Sequence, residues 1–230
     1  ILAYIFFAYH FEQWYALLGE IPASLLIILA ILIYYLHQTK LHLFITGCFF
    51  SLAVQTKFIS LIPFGVFLVF IIINNFFQNR KVGQPLFRSI TIMLFYILLG
   101  FLIPIALFEL WKFMTIGAAN YLSWWTKYIG YIFGLGLKVD LSLAARLLER
   151  INIARQRFGI FLPAIFVIFA VIGLSIKKEK KLFSLFICCV SIVSILTIYW
   201  LLLGLGWARY YIISLVIVIF CLSIPYIYWK

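Results

Sequence analysis

Two stretches of this chain, Ile21–Leu36 and Leu182–Leu203, are apolar on every face, so neither offers a side to water however it is coiled. A helix that is apolar all round belongs in a large core or in a bilayer. Composition decides between the two. Of 230 residues, 67% are hydrophobic, 20% aromatic and only 10% charged, with a mean hydropathy of +1.20, whereas a soluble chain carries about 45–50% apolar and about 25% charged residues. Too few polar side chains remain to cover a wetted surface, so the solvent is lipid. That excludes a soluble enzyme, a DNA-binding module and a disordered tail. A β-barrel is excluded as well, because its strands alternate apolar and polar residues over segments of about ten. The expected class is all-α, a polytopic transmembrane helical bundle.

At about 20 apolar residues per crossing, the chain has material for roughly six or seven helices. Ile1–Phe11 reads as the end of a helix that begins upstream. The chain opens without a Met and within an apolar run, so residues 1–230 are expected to be a single transmembrane domain of a longer protein. Pro22 sits in the first turn of the next helix, where its missing N–H costs nothing. Spans are expected at 21–36, 41–56, 58–73, 90–111, 158–176, 182–203 and 210–229. The second and third meet at Gln55-Thr56-Lys57 and are short enough to be broken helices that do not each cross fully.

The formal charge is +12, but the basic residues are scattered between apolar spans and form no stripe for nucleic acid. They report topology instead. Taken as successive crossings, the spans put Lys40, then Arg80, Lys81 and Arg88, then Lys177, Lys178, Lys180 and Lys181, then Lys230 on one side, and only Lys57 and Arg209 in the short links of the other. By the positive-inside rule the first side is cytoplasmic.

The long segment 112–157 then falls on the outer side. Tyr121-Leu122-Ser123-Trp124-Trp125-Thr126-Lys127-Tyr128 carries the aromatics expected at headgroup depth, and Gly130, Gly134 and Gly136 predict a pliable connection. From Val139 to Phe158, Leu141, Ala144, Leu148 and Ile151 recur at helical spacing among Arg146, Glu149, Arg150, Arg155 and Arg157, after a possible Asp140 N-cap. This predicts an amphipathic helix lying in the membrane interface.

Ionisable residues at the edges of spans are costly and therefore informative. Glu20, Lys57, Glu109 and Arg209 all converge on the outer face by this topology. Lys57 and Arg209 suit a phosphate or pyrophosphate, Arg as a planar fork and Lys as a point charge. Glu20 can ligate a divalent metal (Mg, Mn or Zn), accept from a sugar hydroxyl or act as a base. The plainer reading has Glu20 complementing its helix dipole, Lys57 snorkelling, and Arg209 anchoring the last span. Glu109, followed by Trp111 and Lys112, is expected to form an interfacial salt bridge. Cys48, Cys188, Cys189 and Cys221 lie in apolar runs and read as small packing residues. His10 stands alone, and His37 and His42 do not share a helix face. No Gly-rich phosphate loop, Ser/His/Asp order or Cys/His zinc spacing is present.

An acidic residue opening a span beside a proline, Gly19-Glu20-Ile21-Pro22, followed by a hairpin ending in Ser51-Leu52-Ala53-Val54-Gln55-Thr56-Lys57, resembles the middle of the GT-C glycosyltransferases. The nearest pattern is that of the polyprenyl-phosphate-sugar-dependent enzymes, which include the protein O-mannosyltransferases and aminoarabinose transferases. Arg209-Tyr210, entering a late helix, is similar to a further segment of that family. The resemblance covers residues 10–70 well and 112–215 loosely. It implies a GT-C-like bundle that transfers a sugar from a polyprenyl-phosphate donor to a lipid, glycan or protein acceptor. Glu20 would match its second acidic motif and Lys57 the lysine at the lipid phosphate, with Arg209, Tyr210, Trp124 and Trp125 contributing to substrate binding. It also implies a principal catalytic carboxylate, expected upstream of Ile1. The expected location is a bacterial inner membrane, with the site facing the periplasm or outside. The competing classes are a transporter or lipid-handling subunit that binds anionic lipid, and a structural subunit of a larger complex. Neither internal repeats nor midplane charges, which mark many transporters, are evident.

Overall fold

The computed structural model describes residues 19–79, 86–137, 145, 147–149, 151–152, 156, 161–176, 179–202 and 212–228. These are almost wholly helical, with no strand among them. The helices are α1 (Glu20–Leu36), α2 (Lys40–Thr56), α3 (Leu61–Asn79), α4 (Leu86–Ile116), α5 (Ala118–Leu137), α6 (Phe161–Ile176), α7 (Lys180–Leu202) and α8 (Ile212–Tyr228). A 3-10 turn, Phe58–Ser60, precedes α3. Every expected span coincides with a helix. Three stretches are long and apolar enough to cross a membrane: Phe58–Phe77, Ser89–Ile116 and Lys180–Leu202. Glu20–Leu36 and Ile213–Ile224 are shorter apolar helices.

Two expectations need correcting. The second member of the 41–56 and 58–73 pair is not short: the 3-10 turn runs directly into α3, and together they make a full-length span. Segment 112–157 is not a loop throughout either, because α4 continues to Ile116 and α5 follows after Gly117 alone. Gly130, Gly134 and Gly136 are therefore helical and not a pliable connection. Each glycine costs a helix only about 1 kcal/mol relative to Ala, and α5 runs through all three. Most of the expected interfacial helix 139–158 lies outside the described residues, but Ala145, Leu147, Leu148, Glu149, Ile151, Asn152 and Gln156 are helical.

Ring contacts fix the direction of the helices. Phe50 of α2 meets Phe64 and Phe67 of α3 at 5.1 and 4.9 Å, seven residues before Lys57 against seven and ten after it, so α2 and α3 form an antiparallel hairpin folded there. Phe64 stacks on Phe101 of α4 at 4.1 Å. At the opposite end, Tyr34 near the close of α1 accepts a 3.2 Å hydrogen bond from Asn75 of α3 and donates to Met93 of α4, while Tyr35 bonds Ser184 of α7 at 3.0 Å. One end of the bundle thus holds Lys57 and the start of α1, and the other holds His37 and the start of α7. α7 and α8 pack side by side. Lys40, Lys180 and Lys181 lie at the His37 end, in agreement with the charge sorting.

The most extensive packing is between α2 and α4, and α1 packs next against α2. Small residues make the first contact possible. A Cβ on Gly47 would meet the backbone of Ile97, Gly100 and Phe101, and one on Gly100 would meet the backbone of Phe44. Without a hydrophobic drive between helices in lipid, such backbone approach supplies the association. Outside the core, Leu25, Val69, Leu102, Leu107, Leu174, Ile198 and Ile219 are exposed, an apolar exterior that fits a lipid bilayer. All four cysteines are free, three of them buried in the core, as their apolar setting predicts. Asn75→Leu should remove the Tyr34 contact and lower stability by about 1 kcal/mol. A thermal or denaturant midpoint in detergent micelles measures this, and an unchanged midpoint would mean that the polar pair adds nothing.

Candidate functional site

Lys57 is the only residue between α2 and the 3-10 turn, and its backbone is extended, φ −148 and ψ 115. Its N–H closes α2 on Ala53 O at 2.8 Å, and its carbonyl accepts from Ser60 N at 2.9 Å. Pro63 then occupies the first turn of α3, as Pro22 does in α1, where neither interrupts a hydrogen bond. The break therefore places one lysine at the mouth of the hairpin, beside the start of α1.

Glu20 is the first residue of α1, preceded by Gly19 as N-cap without a side-chain cap bond. Its carboxylate complements the helix dipole and also meets Lys57: the ammonium stands 2.8 Å from Oε1. The two are unequally wet. Glu20 is fully buried while Lys57 keeps 29% of its side chain exposed, so the cation has a route outward and the carboxylate has none. The contact is an ion pair outside aligned hydrogen-bond geometry, and Oε2 has no hydrogen-bond partner among the described residues. Gly19 gives the Lys57 side chain room, since a Cβ there would press on its methylenes and make the lysine shift. Sequence reading named Glu20 and Lys57 but missed Gly19. The available signal was a glycine directly before the buried acid.

Glu109 forms the expected salt bridge, with Lys112 Nζ 2.7 Å from Oε1. Its other oxygen accepts from Tyr121 Oη at 2.8 Å and from Trp125 Nε1 at 3.3 Å. These bonds tie α5 back onto α4 through an elbow at Gly117, whose φ of +78 favours glycine. Trp124 stacks on Tyr128 at 5.2 Å and has Lys112 Nζ 4.6 Å from its ring, while staying exposed. The Trp124 and Trp125 named as substrate-binding residues are thus engaged within the α4–α5 elbow. Tyr128 in turn touches Phe58, next to Lys57, at 6.2 Å. Arg209 and Tyr210 lie outside the described residues.

The hydrogen bond to Glu109 raises the Tyr121 phenol above its ordinary value. A raised folded value means the contact contributes fully below the ordinary tyrosine range near pH ~10 and is lost as pH rises through the raised value. Tyr121→Phe should speed amide exchange at residues 118–128 severalfold without affecting α1–α3. Uniform exchange across all helices would show that Glu109 does not hold the elbow.

His37 and His42 come within 4.7 Å across the α1–α2 turn, with Thr39 Oγ1 2.6 Å from His42 Nδ1. Among the described residues no group of three or more His, Cys, Asp or Glu side chains gathers in metal-ligating reach. Comparison with protein-family models, curated proteins and solved structures gives no match.

Proposed function

We propose that this chain is the membrane domain of a glycosyltransferase that moves a sugar from a polyprenyl-phosphate donor to a lipid, glycan or protein acceptor, at the outer face of a bacterial inner membrane. The observation that carries this reading is the buried Glu20–Lys57 pair at one end of an apolar bundle. A lipid phosphate approaching from the bilayer meets Lys57 through its exposed side, and α1 begins at that end with its positive dipole end. Glu20 supplies the anion that pairs with Lys57; a bound phosphate would take Lys57 and release Glu20 to accept from a sugar hydroxyl.

The chemistry is displacement at the anomeric carbon. An acceptor hydroxyl oxygen bonds to that carbon, the carbon–oxygen bond to phosphate breaks, and its electron pair leaves with the lipid phosphate. Lys57 stabilises the charge gathering on the leaving group. The acceptor proton goes to a general base, the role that the resemblance gives to an acidic residue before Ile1.

Lys57→Ala in the full-length protein should lower sugar transfer from a polyprenyl-phosphate donor by about 100-fold, the scale of a lost charge-stabilising group. Lys57→Arg should retain part of the activity. Turnover unchanged in Lys57→Ala would remove the phosphate role. A second reading, a non-enzymatic lipid-handling or transport subunit, is favoured by the neutralisation of Lys57 by Glu20 within the chain. Glycan formation that depends on Glu20 separates the two.

A further inference from the structure

His37 and His42 would face different ways on one continuous helix, but a turn stands between them. His37 follows α1 in extended backbone, φ −142 and ψ 130, and its N–H closes that helix on Ile33 O at 3.1 Å. His42 lies in the first turn of α2, after Thr39 as N-cap. The turn brings the two rings to 4.7 Å between centroids, tilted by 42°. His37 is exposed and His42 partly exposed, so solutes reach the pair.

The rings are held unequally. Thr39 Oγ1 stands 2.6 Å from His42 Nδ1 and accepts from His42 N at 3.4 Å, so the ring is tied to its own helix cap through one nitrogen and Nε2 is left over. The His37 ring has no hydrogen bond among the described residues. A hydroxyl oxygen has two lone pairs, so Thr39 can accept from Nδ1–H and from the backbone together, and in that tautomer Nε2 presents a lone pair. Imidazoles that bind metals are oriented in this way, the second ring N–H resting on an oxygen. The spacing fits as well. At metal–nitrogen bonds of about 2.0–2.1 Å, two imidazoles sharing one ion at right-angled to tetrahedral bond angles have ring centres about 4.5–5 Å apart, a range that includes the 4.7 Å found here.

We propose that His37 and His42 form a two-ligand site for a divalent transition-metal ion of the kind that takes imidazole, Zn2+, Ni2+ or Cu2+, with water in the remaining positions. No third His, Cys, Asp or Glu joins them among the described residues, so Mg2+ and Ca2+, which need oxygen ligands, do not suit the pair. Lys40, Lys180 and Lys181 lie at the same end, with Lys40 Nζ 5.8 Å from the Tyr96 ring. The local field therefore does not attract a cation, and coordination alone holds it, which makes the site an exchangeable one. It lies at the opposite end of the bundle from Glu20 and Lys57 and stands whether or not the protein transfers a sugar.

The test is calorimetric titration of Zn2+ into the full-length protein in nanodiscs, purified without a polyhistidine tag. His37→Ala and His42→Ala should each weaken Zn2+ binding by about 100-fold, the scale on which a second tethered contact adds to a first. Thr39→Val should weaken it by about tenfold through loss of the supporting hydrogen bond, Thr39→Ser should retain it, and Mg2+ should not compete. Zn2+ should raise the melting temperature of wild type and not of the two alanine variants. The Cu2+ electron paramagnetic resonance spectrum of wild type at one equivalent should show coupling to two imidazole nitrogens, a reading that depends on no variant's folding. Zn2+ affinity unchanged in both alanine variants, a loss confined to one of them, or a Cu2+ spectrum with fewer than two imidazole nitrogens overturns the site.

Discussion

Replacing Lys57 with methionine is expected to destabilise the bundle by about 3–5 kcal/mol, the cost of leaving a buried carboxylate without its counter-ion. The size follows from the asymmetry of burial: Glu20 has no exposure, whereas Lys57 retains some. An exposed pair would be worth no more than about 1 kcal/mol, and reversing the burial would leave Glu20 free to find water. The double variant Glu20→Gln, Lys57→Met should recover most of the loss, since removing both charges removes the desolvation that each imposes. Denaturant unfolding in mixed micelles gives all three values. A single-variant loss near that of an exposed pair would mean that Glu20 reaches water and that the site is open in the absence of ligand.

Gly100→Leu is expected to be as damaging, at about 3 kcal/mol or more, with Gly47→Leu close behind. Overpacking is tolerated when a flexible side chain can move aside. Here the added Cβ meets backbone atoms of the facing helix, Phe44 in one case and Ile97, Gly100 and Phe101 in the other, so α2 and α4 must separate. Because this is the most extensive pair among the described helices, separation loosens the hairpin that presents Lys57. Gly65 provides the control. It lies in α3 with nothing near an added Cβ, so Gly65→Ala should be neutral or stabilising by up to about 1 kcal/mol. Equal losses at all three glycines would show that helix propensity, and not close approach, sets the effect.

The helices of this bundle were legible in the sequence because lipid imposes a length and a composition on them, and Ile21–Leu36 or Leu182–Leu203 satisfy both without help from tertiary contacts. The sorting of Lys40, Lys180 and Lys181 from Lys57 was legible for the same reason. Segment 112–157 was harder. Gly117, Gly130, Gly134 and Gly136 look alike as residues, yet only Gly117 adopts a positive φ and turns the chain. The others lie within α5. Proximity across helices was the least visible property. Glu109 and Lys112 are three apart on one helix and were paired from spacing alone, but the reach of Tyr121 and Trp125 to Glu109 depends on the elbow. Gly47 and Gly100 are 53 residues apart, and nothing local marks them as partners.

If Glu20 serves as the internal anion that a lipid phosphate displaces from Lys57, removing its charge should help phosphate binding and not harm it. The most direct measurement is the affinity of undecaprenyl phosphate for the full-length wild-type protein, Glu20→Gln and Lys57→Gln in nanodiscs. The account predicts binding about tenfold tighter in Glu20→Gln, equivalent to about 1.4 kcal/mol of relieved competition, and strongly weakened binding in Lys57→Gln. Weaker binding in Glu20→Gln, or wild-type affinity in Lys57→Gln, would contradict it.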